Sequence, residues 1–194
     1  MSKSITIIDG HPDPEEGHLC HALSSAYAKG AQAGGHEVSM IRAATLDLPL
    51  LRRGEEFASG SISPVIRETQ DAIRRASHLV IVYPLWLGAM PALLKGFFEQ
   101  VFRPDFAFDE KDTRWPKPML TGRSARVIVT MGMPALAYRW YYGAHSLKSL
   151  ERNILRFVGI KPVRRTLFGM VDEASDIKRA AWLQQIEALG RDGR

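Results

Sequence analysis

The residues best suited to chemistry fall in three short stretches. The first, DGHPDPEEGH from Asp9 to His18, sets His11 and His18 among acids and glycines just ahead of an apolar segment of helical period. A loop that opens a helix carries unpaired backbone N–H groups and the positive end of the helix dipole, which suits an anion such as phosphate. His11 is placed to add a donor. The same residues would also make a plain N-capping loop with a surface histidine, and Glu15 and Glu16 would oppose a phosphate if they pointed inward. In the second stretch, PLWLG, Pro84 stiffens the chain, Leu85 and Trp86 offer a flat apolar surface, and Gly88 allows close backbone approach. A planar aromatic ligand could lie against that wall, and so could a neighbouring loop. The third stretch, TMGMP from Thr130 to Pro134, again joins glycine and proline after an apolar run.

Other chemistries find no footing. GxGxxG and GxxxxGK[ST] are absent, which removes the dinucleotide and P-loop fingerprints. The six histidines form no HExxH spacing, and no GxSxG elbow exists for a hydrolase. Cys20 is the single cysteine, so an intramolecular disulfide and a CxxC metal site are excluded.

The elements that must position these stretches read as short β-rich runs alternating with longer helical ones, the pattern of a parallel sheet with crossover helices. Strands are expected at Ser4 to Asp9, Glu37 to Ile41, Leu79 to Tyr83, Ala125 to Thr130 and Arg165 to Gly169. Helices are expected near His18 to Gly30, Pro64 to Ala76, Pro91 to Phe102, Ser146 to Phe157 and Ser175 to Leu189. In the first helix Leu19, Leu23, Ala26, Tyr27 and Ala31 recur on one face, and Gly34-Gly35 ends it. The third and fourth strands are continuous apolar runs, as in the buried middle of a sheet. The three stretches then follow the first, third and fourth strands, at the carboxyl ends where open α/β sheets bind ligands. The helix from Pro91 is apolar almost all round, through Leu93, Leu94, Phe97, Phe98 and Val101, as at a subunit interface. Ala43 to Ser63 reads as a polar loop, and Pro104 to Gly122, with Trp115, Pro116 and Pro118, as a second long insertion.

At 194 residues the chain fits one domain, 1–194, long enough to bury a full core. The net charge of +5 comes from scattered pairs such as Arg52-Arg53 and Arg164-Arg165, with no basic ribbon, so a nucleic-acid partner is not expected. The field does attract anionic cofactors. No apolar run approaches the roughly 20 residues of a membrane span, and the start MSKSITIIDGHPDP is no signal peptide, so the expected address is cytoplasmic.

Over nearly the whole chain, from ITIIDGHPDPEEGHL through VYPLWLGAMPALLKGFFEQVFRPDFAF to VGIKPVRRTLFGMV, the sequence resembles the flavodoxin-like NAD(P)H:quinone oxidoreductases. That family includes DT-diaphorase, modulator of drug activity B and the flavoprotein that accompanies potassium efflux systems. The middle segment is the most specific part. The resemblance implies a flavodoxin-like three-layer α/β sandwich with a five-stranded parallel sheet in the order 2-1-3-4-5. It implies a flavin, FMN or FAD with FMN slightly preferred, whose phosphate lies in the segment His11, Gly17, His18, Leu19 and Cys20. Pro84, Leu85, Trp86, Leu87 and Gly88 would run along the isoalloxazine edge, with Thr130, Met131, Gly132 and Met133 on its pyrimidine side. Tyr138 matches a catalytic tyrosine of the family, and His145, offset by about one residue, its histidine. NADPH or NADH would donate a hydride, a quinone would accept it in a ping-pong cycle, and two copies would form a homodimer. Rival readings are an azo or nitroaromatic reductase, a regulatory flavoprotein docked on a potassium efflux transporter, and a one-electron carrier. The chain departs from the family at Gly17, where a serine is usual, at Cys20, where an asparagine is, and at Met131 and Met133, which replace Thr and Gly.

Overall fold

Runs of Ile and Val set the strands, and their registers set the site. The computed structural model describes residues 2–109 and 116–194, so Trp115 of the second insertion lies outside the described residues. In chain order the elements are β1 (Ser4–Asp9), α1 (Leu19–Ala33), β2 (Glu37–Arg42), α2 (Gly54–Ser59), α3 (Pro64–Arg75), β3 (His78–Pro84), α4 (Ala92–Val101), β4 (Phe108–Asp109) and β5 (Lys117–Pro118). There follow β6 (Ser124–Met131), α5 (Ala135–Trp140), α6 (His145–Ser149), β7 (Val163–Gly169) and α7 (Asp176–Arg191). Five strands form one parallel sheet in the order β2-β1-β3-β6-β7, which is the expected 2-1-3-4-5. β4 and β5 make a separate antiparallel pair.

Every residue of β3 is buried, as are all but the first of β6, which fits continuous apolar runs flanked on both faces. Alternate residues divide the core. Ile5, Ile7, Val80, Val82, Ile128 and Phe168 pack with α1 and α7, while Ile8, Leu79, Ile81, Val127 and Val129 pack with α3, α4 and α6 on the other face. Asp9 is level with Val82, and Pro84 with Thr130, so three strands end side by side where the chain switches from one side of β1 to the other.

The α1–α7 contact depends on glycines. A Cβ on Gly30 would lie 1.9 Å from the Glu187 carbonyl oxygen, and one on Gly190 2.2 Å from that of Tyr27. Neither backbone atom can rotate aside. Gly30→Ala is therefore expected to destabilise the fold by about 2 kcal/mol or more, although alanine in a helix interior is worth about 1 kcal/mol over glycine. Urea unfolding checks this, and a midpoint equal to wild type would show that the two helices separate freely.

Three sequence expectations need correction. α4 is buried largely within its own chain. Leu50 lies over Gly96, the Gln100 amide donates to the Pro49 carbonyl, and the Gln70 amide donates to that of Val101, so its apolar girth does not require a subunit interface. The stretch from Ala43 to Ser63 is not all loop. It holds a 3-10 turn at Ala43–Thr45 and α2, which buries no residue and so carries no apolar stripe to be read. The expected helix from Ser146 to Phe157 is α6 running into a π-helical segment, Leu150–Leu155, and α5 before it was not expected. Among the described residues no helix is long and apolar enough to cross a membrane.

Candidate functional site

β1 delivers Asp9, Gly10 and His11 to the carboxyl edge of the sheet. Buried Asp9 accepts the His11 backbone N–H at 3.1 Å and pairs with His21 Nδ1 at 2.7 Å. The other His21 nitrogen lies 3.0 Å from the Asp13 carbonyl oxygen, His18 Nε2 lies 3.0 Å from Asp13 Oδ2, and the His11 and His18 rings stack at 3.9 Å. The two carboxylates thus brace the His18 and His21 rings, and the His11 ring is held by its stack on His18 and by the Asp13 backbone N–H, which donates to its Nδ1 at 3.2 Å. Burial, foremost, holds the His11 pKa below its ordinary value, so its ring is neutral at pH 7. The Glu15 N–H and then the His18 ring lower that of Asp13, which stays a carboxylate.

Gly17, at φ +104°, turns this loop into α1. No side chain caps the helix and no acid stands in its first turn, so its leading N–H groups and the dipole face outward. Glu16 is drawn off by Arg42, at 2.7 Å. Beside this open end stands Arg179 of α7, its guanidinium anchored on the carbonyls of Ala174 (3.0 Å) and Val171 (3.1 Å). An anion fits here.

The β3 exit forms the side wall. Trp86 and Ala89 exchange two backbone hydrogen bonds of 2.9 Å around Leu87 (φ 48°) and Gly88 (φ 75°), the backbone pattern of a type I′ turn. Gly88 has open space where a Cβ would sit, so glycine serves the turn here rather than a close approach. Leu87 is wholly exposed at the tip. On the opposite side the Cys20 thiol meets Thr130 Oγ1 at 3.3 Å, joining the first and third loops. Burial pushes that thiol up to about 12, so Cys20 packs and does not act as a thiolate.

A cavity of about 370 Å³ lies between these walls. His11, Gly17, His18, Leu19 and Cys20 line it from the first loop, Pro84, Leu85 and Trp86 from the second, and Thr130, Met131 and Gly132 from the third. Leu87, Gly88 and Met133 do not line it. Met133 instead accepts the Met170 N–H at 3.2 Å, and Met131 accepts that of Val171 at 3.2 Å, which ties down the loop leading to α7. Tyr138 is buried beyond this cavity, where its hydroxyl accepts the Leu147 N–H at 3.2 Å and burial raises its pKa. His145 is exposed at the start of α6 and also lies off the cavity. Sequence reading missed Val171, Asp172 and Arg179, which also line it. Among the described residues no cluster suits a metal.

A parallel sheet with a cavity at the strand switch, beside an uncapped helix N-terminus, defines an open-sheet α/β protein with its candidate site at the carboxyl edge of the sheet. The chain belongs to the family described as having a flavodoxin-like fold, whose model matches residues 3–189. Among its relatives, an uncharacterized NAD(P)H oxidoreductase of Haemophilus influenzae is 28% identical over 65% of this chain and 62% of its own length. The human ribosyldihydronicotinamide dehydrogenase [quinone] is 27% identical over 71% of this chain and 63% of its own. The match therefore spans a little less than two thirds of these curated relatives. A Streptococcus mutans protein of known crystal structure is 28% identical, with a TM-score of 0.76 over 97% of this chain and 98% of its own.

Proposed function

We propose that the chain is a flavin-dependent oxidoreductase that draws electrons from NADPH or NADH and passes them to a quinone or a similar flat acceptor. One observation carries the reading: an uncapped helix N-terminus, flanked by His11, His18 and Arg179, closes one end of a cavity whose side is Pro84, Leu85 and Trp86. The first end fits a phosphate monoester and the second a planar ring, the two parts of a flavin nucleotide. A single anion-binding end favours FMN over FAD. When bound, the flavin supplies two-electron hydride chemistry. The loop N–H groups after β6 orient the ring, Pro84 and Leu85 supply an apolar side wall, and Trp86 limits access to its face. A cavity this small admits donor and acceptor in turn, which gives ping-pong kinetics.

His145 and Tyr138 are proposed to support charge that builds on the ring. Tyr138 works as a positioning residue, because its bond to the Leu147 N–H pins α5 to the helix that carries His145. Leu87, an exposed leucine kept in left-handed backbone at a cost of roughly 1 kcal/mol, supports pairing of two copies across this rim.

The test is an absorbance spectrum of the full chain after incubation with FMN or FAD and desalting, followed by anaerobic NADPH and then a quinone. Retained FMN colour, bleaching with NADPH and return with the quinone are expected. A chain that retains neither flavin overturns the proposal.

A further inference from the structure

A cavity of about 630 Å³, larger than the 370 Å³ one beside Trp86, lies elsewhere on the fold. It opens where α5 and α6 meet the outer strand β7, and Arg139, Lys148 and Arg165 converge on it with Trp140, Leu136 and Leu167. Arg165 is steadied by the buried carboxylate of Glu151 at 2.8 Å, which also takes Arg156 at 2.6 Å. Among the described residues Arg139 and Lys148 pair with no acid, so the cavity carries net positive charge. Trp140 is 79% exposed and Leu136 66%, an unusual outlay of apolar surface unless something flat covers it. A bare phosphate would fill only a small part of this volume, which falls within the range of small-molecule sites.

We propose that this cavity is a second nucleotide site, binding a phosphate monoester on an adenosine-like ring: the phosphate on Arg139, Lys148 and Arg165, the ring on Trp140. Guanidinium and ammonium groups recognise phosphate directly, and an exposed indole stacks a base. Two sources present that chemistry. One is the adenosine 2′-phosphate end of NADPH. Met131 and Gly132 line the first cavity while Ala135 and Leu136 line the second, and three residues of chain set Gly132 and Ala135 no more than about 11 Å apart. A dinucleotide spans that distance, so the cavity would select NADPH over NADH, an assignment that rests on the function proposed above. The other is a free mononucleotide acting as an effector.

Adenosine 2′,5′-bisphosphate titrated calorimetrically into the full-length protein tests the site directly, with adenosine as the phosphate-free probe. The bisphosphate is expected to bind saturably, adenosine at least about tenfold more weakly, and the Arg139→Ala/Lys148→Ala double variant to lose about tenfold or more in affinity while keeping the wild-type unfolding midpoint. Arg139 is exposed and Lys148 half-buried, and Arg139→Lys is expected to retain most of the binding. No saturable binding up to millimolar bisphosphate, or equal affinity in wild type and double variant, overturns the proposal. Steady-state kinetics separate the sources. A donor site raises KM for NADPH in the double variant and leaves that for NADH unchanged, whereas an effector site leaves both unchanged and binds bisphosphate with NADPH saturating. If the chain transfers no electrons from either donor, the proposed function falls while the titration still decides this site.

Discussion

As pH falls from 6.5 to 4, His78 alone is expected to remove about 3 kcal/mol from the stability of the folded chain. His78 opens β3 at the end of the sheet away from the cavity. Its Nδ1 lies 2.8 Å from Ser124 Oγ, and its Nε2 has no partner among the described residues. Burial lowers its pKa from 6.5 to about 4, with Lys3, Arg126, Arg164 and His36 adding repulsion. In the unfolded chain the ring takes up its proton near pH 6.5, and in the folded chain it resists until about pH 4. Within that window the unfolded state binds the extra proton, so stability is full above it and is lost as pH drops through it. Urea unfolding of wild type and His78→Gln across pH 4 to 8 checks this. The gap between the two should shrink or reverse toward acid, and a gap independent of pH would show that His78 does not titrate with folding.

Arg179→Ala is expected to weaken FMN binding by roughly 10- to 100-fold, the value of about 1.5–3 kcal/mol for a charge-assisted hydrogen bond to phosphate. Riboflavin, which lacks the phosphate, should bind wild type and variant alike, so the ratio of the two affinities isolates the anion term from any general loosening of the cavity. Arg179→Lys should recover part of the loss, since the ammonium keeps the charge but not the planar fork that rests on Val171 and Ala174. Equal losses for both flavins would mean that Arg179 only shapes the loop. Raised salt should narrow the difference between wild type and variant, because the residue is half-buried and not fully shielded from solvent ions.

What could be read in advance was whatever local periodicity encodes. β1 ran from Ser4 to Asp9 as expected, and the other strands of the sheet differed only by a residue or two at their ends, because runs such as LVIVY admit no helical stripe. α5 could not be read that way. Its six residues end in Arg139 and Trp140, its one buried member is Tyr138, and a helix of under two turns shows no period. The cavity was legible wherever its residues follow a strand directly. Arg179 was not, because it sits one turn into a helix far along the chain and looks like any solvent-facing arginine until α7 is laid against α1. Gly88 carried a true turn signal, but sequence alone does not tell a glycine needed for its φ from one needed for room.

The crossing of α1 and α7 at Gly30 and Gly190 also has a meaning for biosynthesis. The loop from Asp9 to His18 is made before the other residues that line the cavity, and Arg179 after all of them. During translation the sheet can begin to pair while the anion-binding end still lacks its guanidinium and the helix that holds it. A nascent chain would therefore have little grip on a phosphorylated cofactor until α7 docks, and loading must wait for the synthesis of that helix.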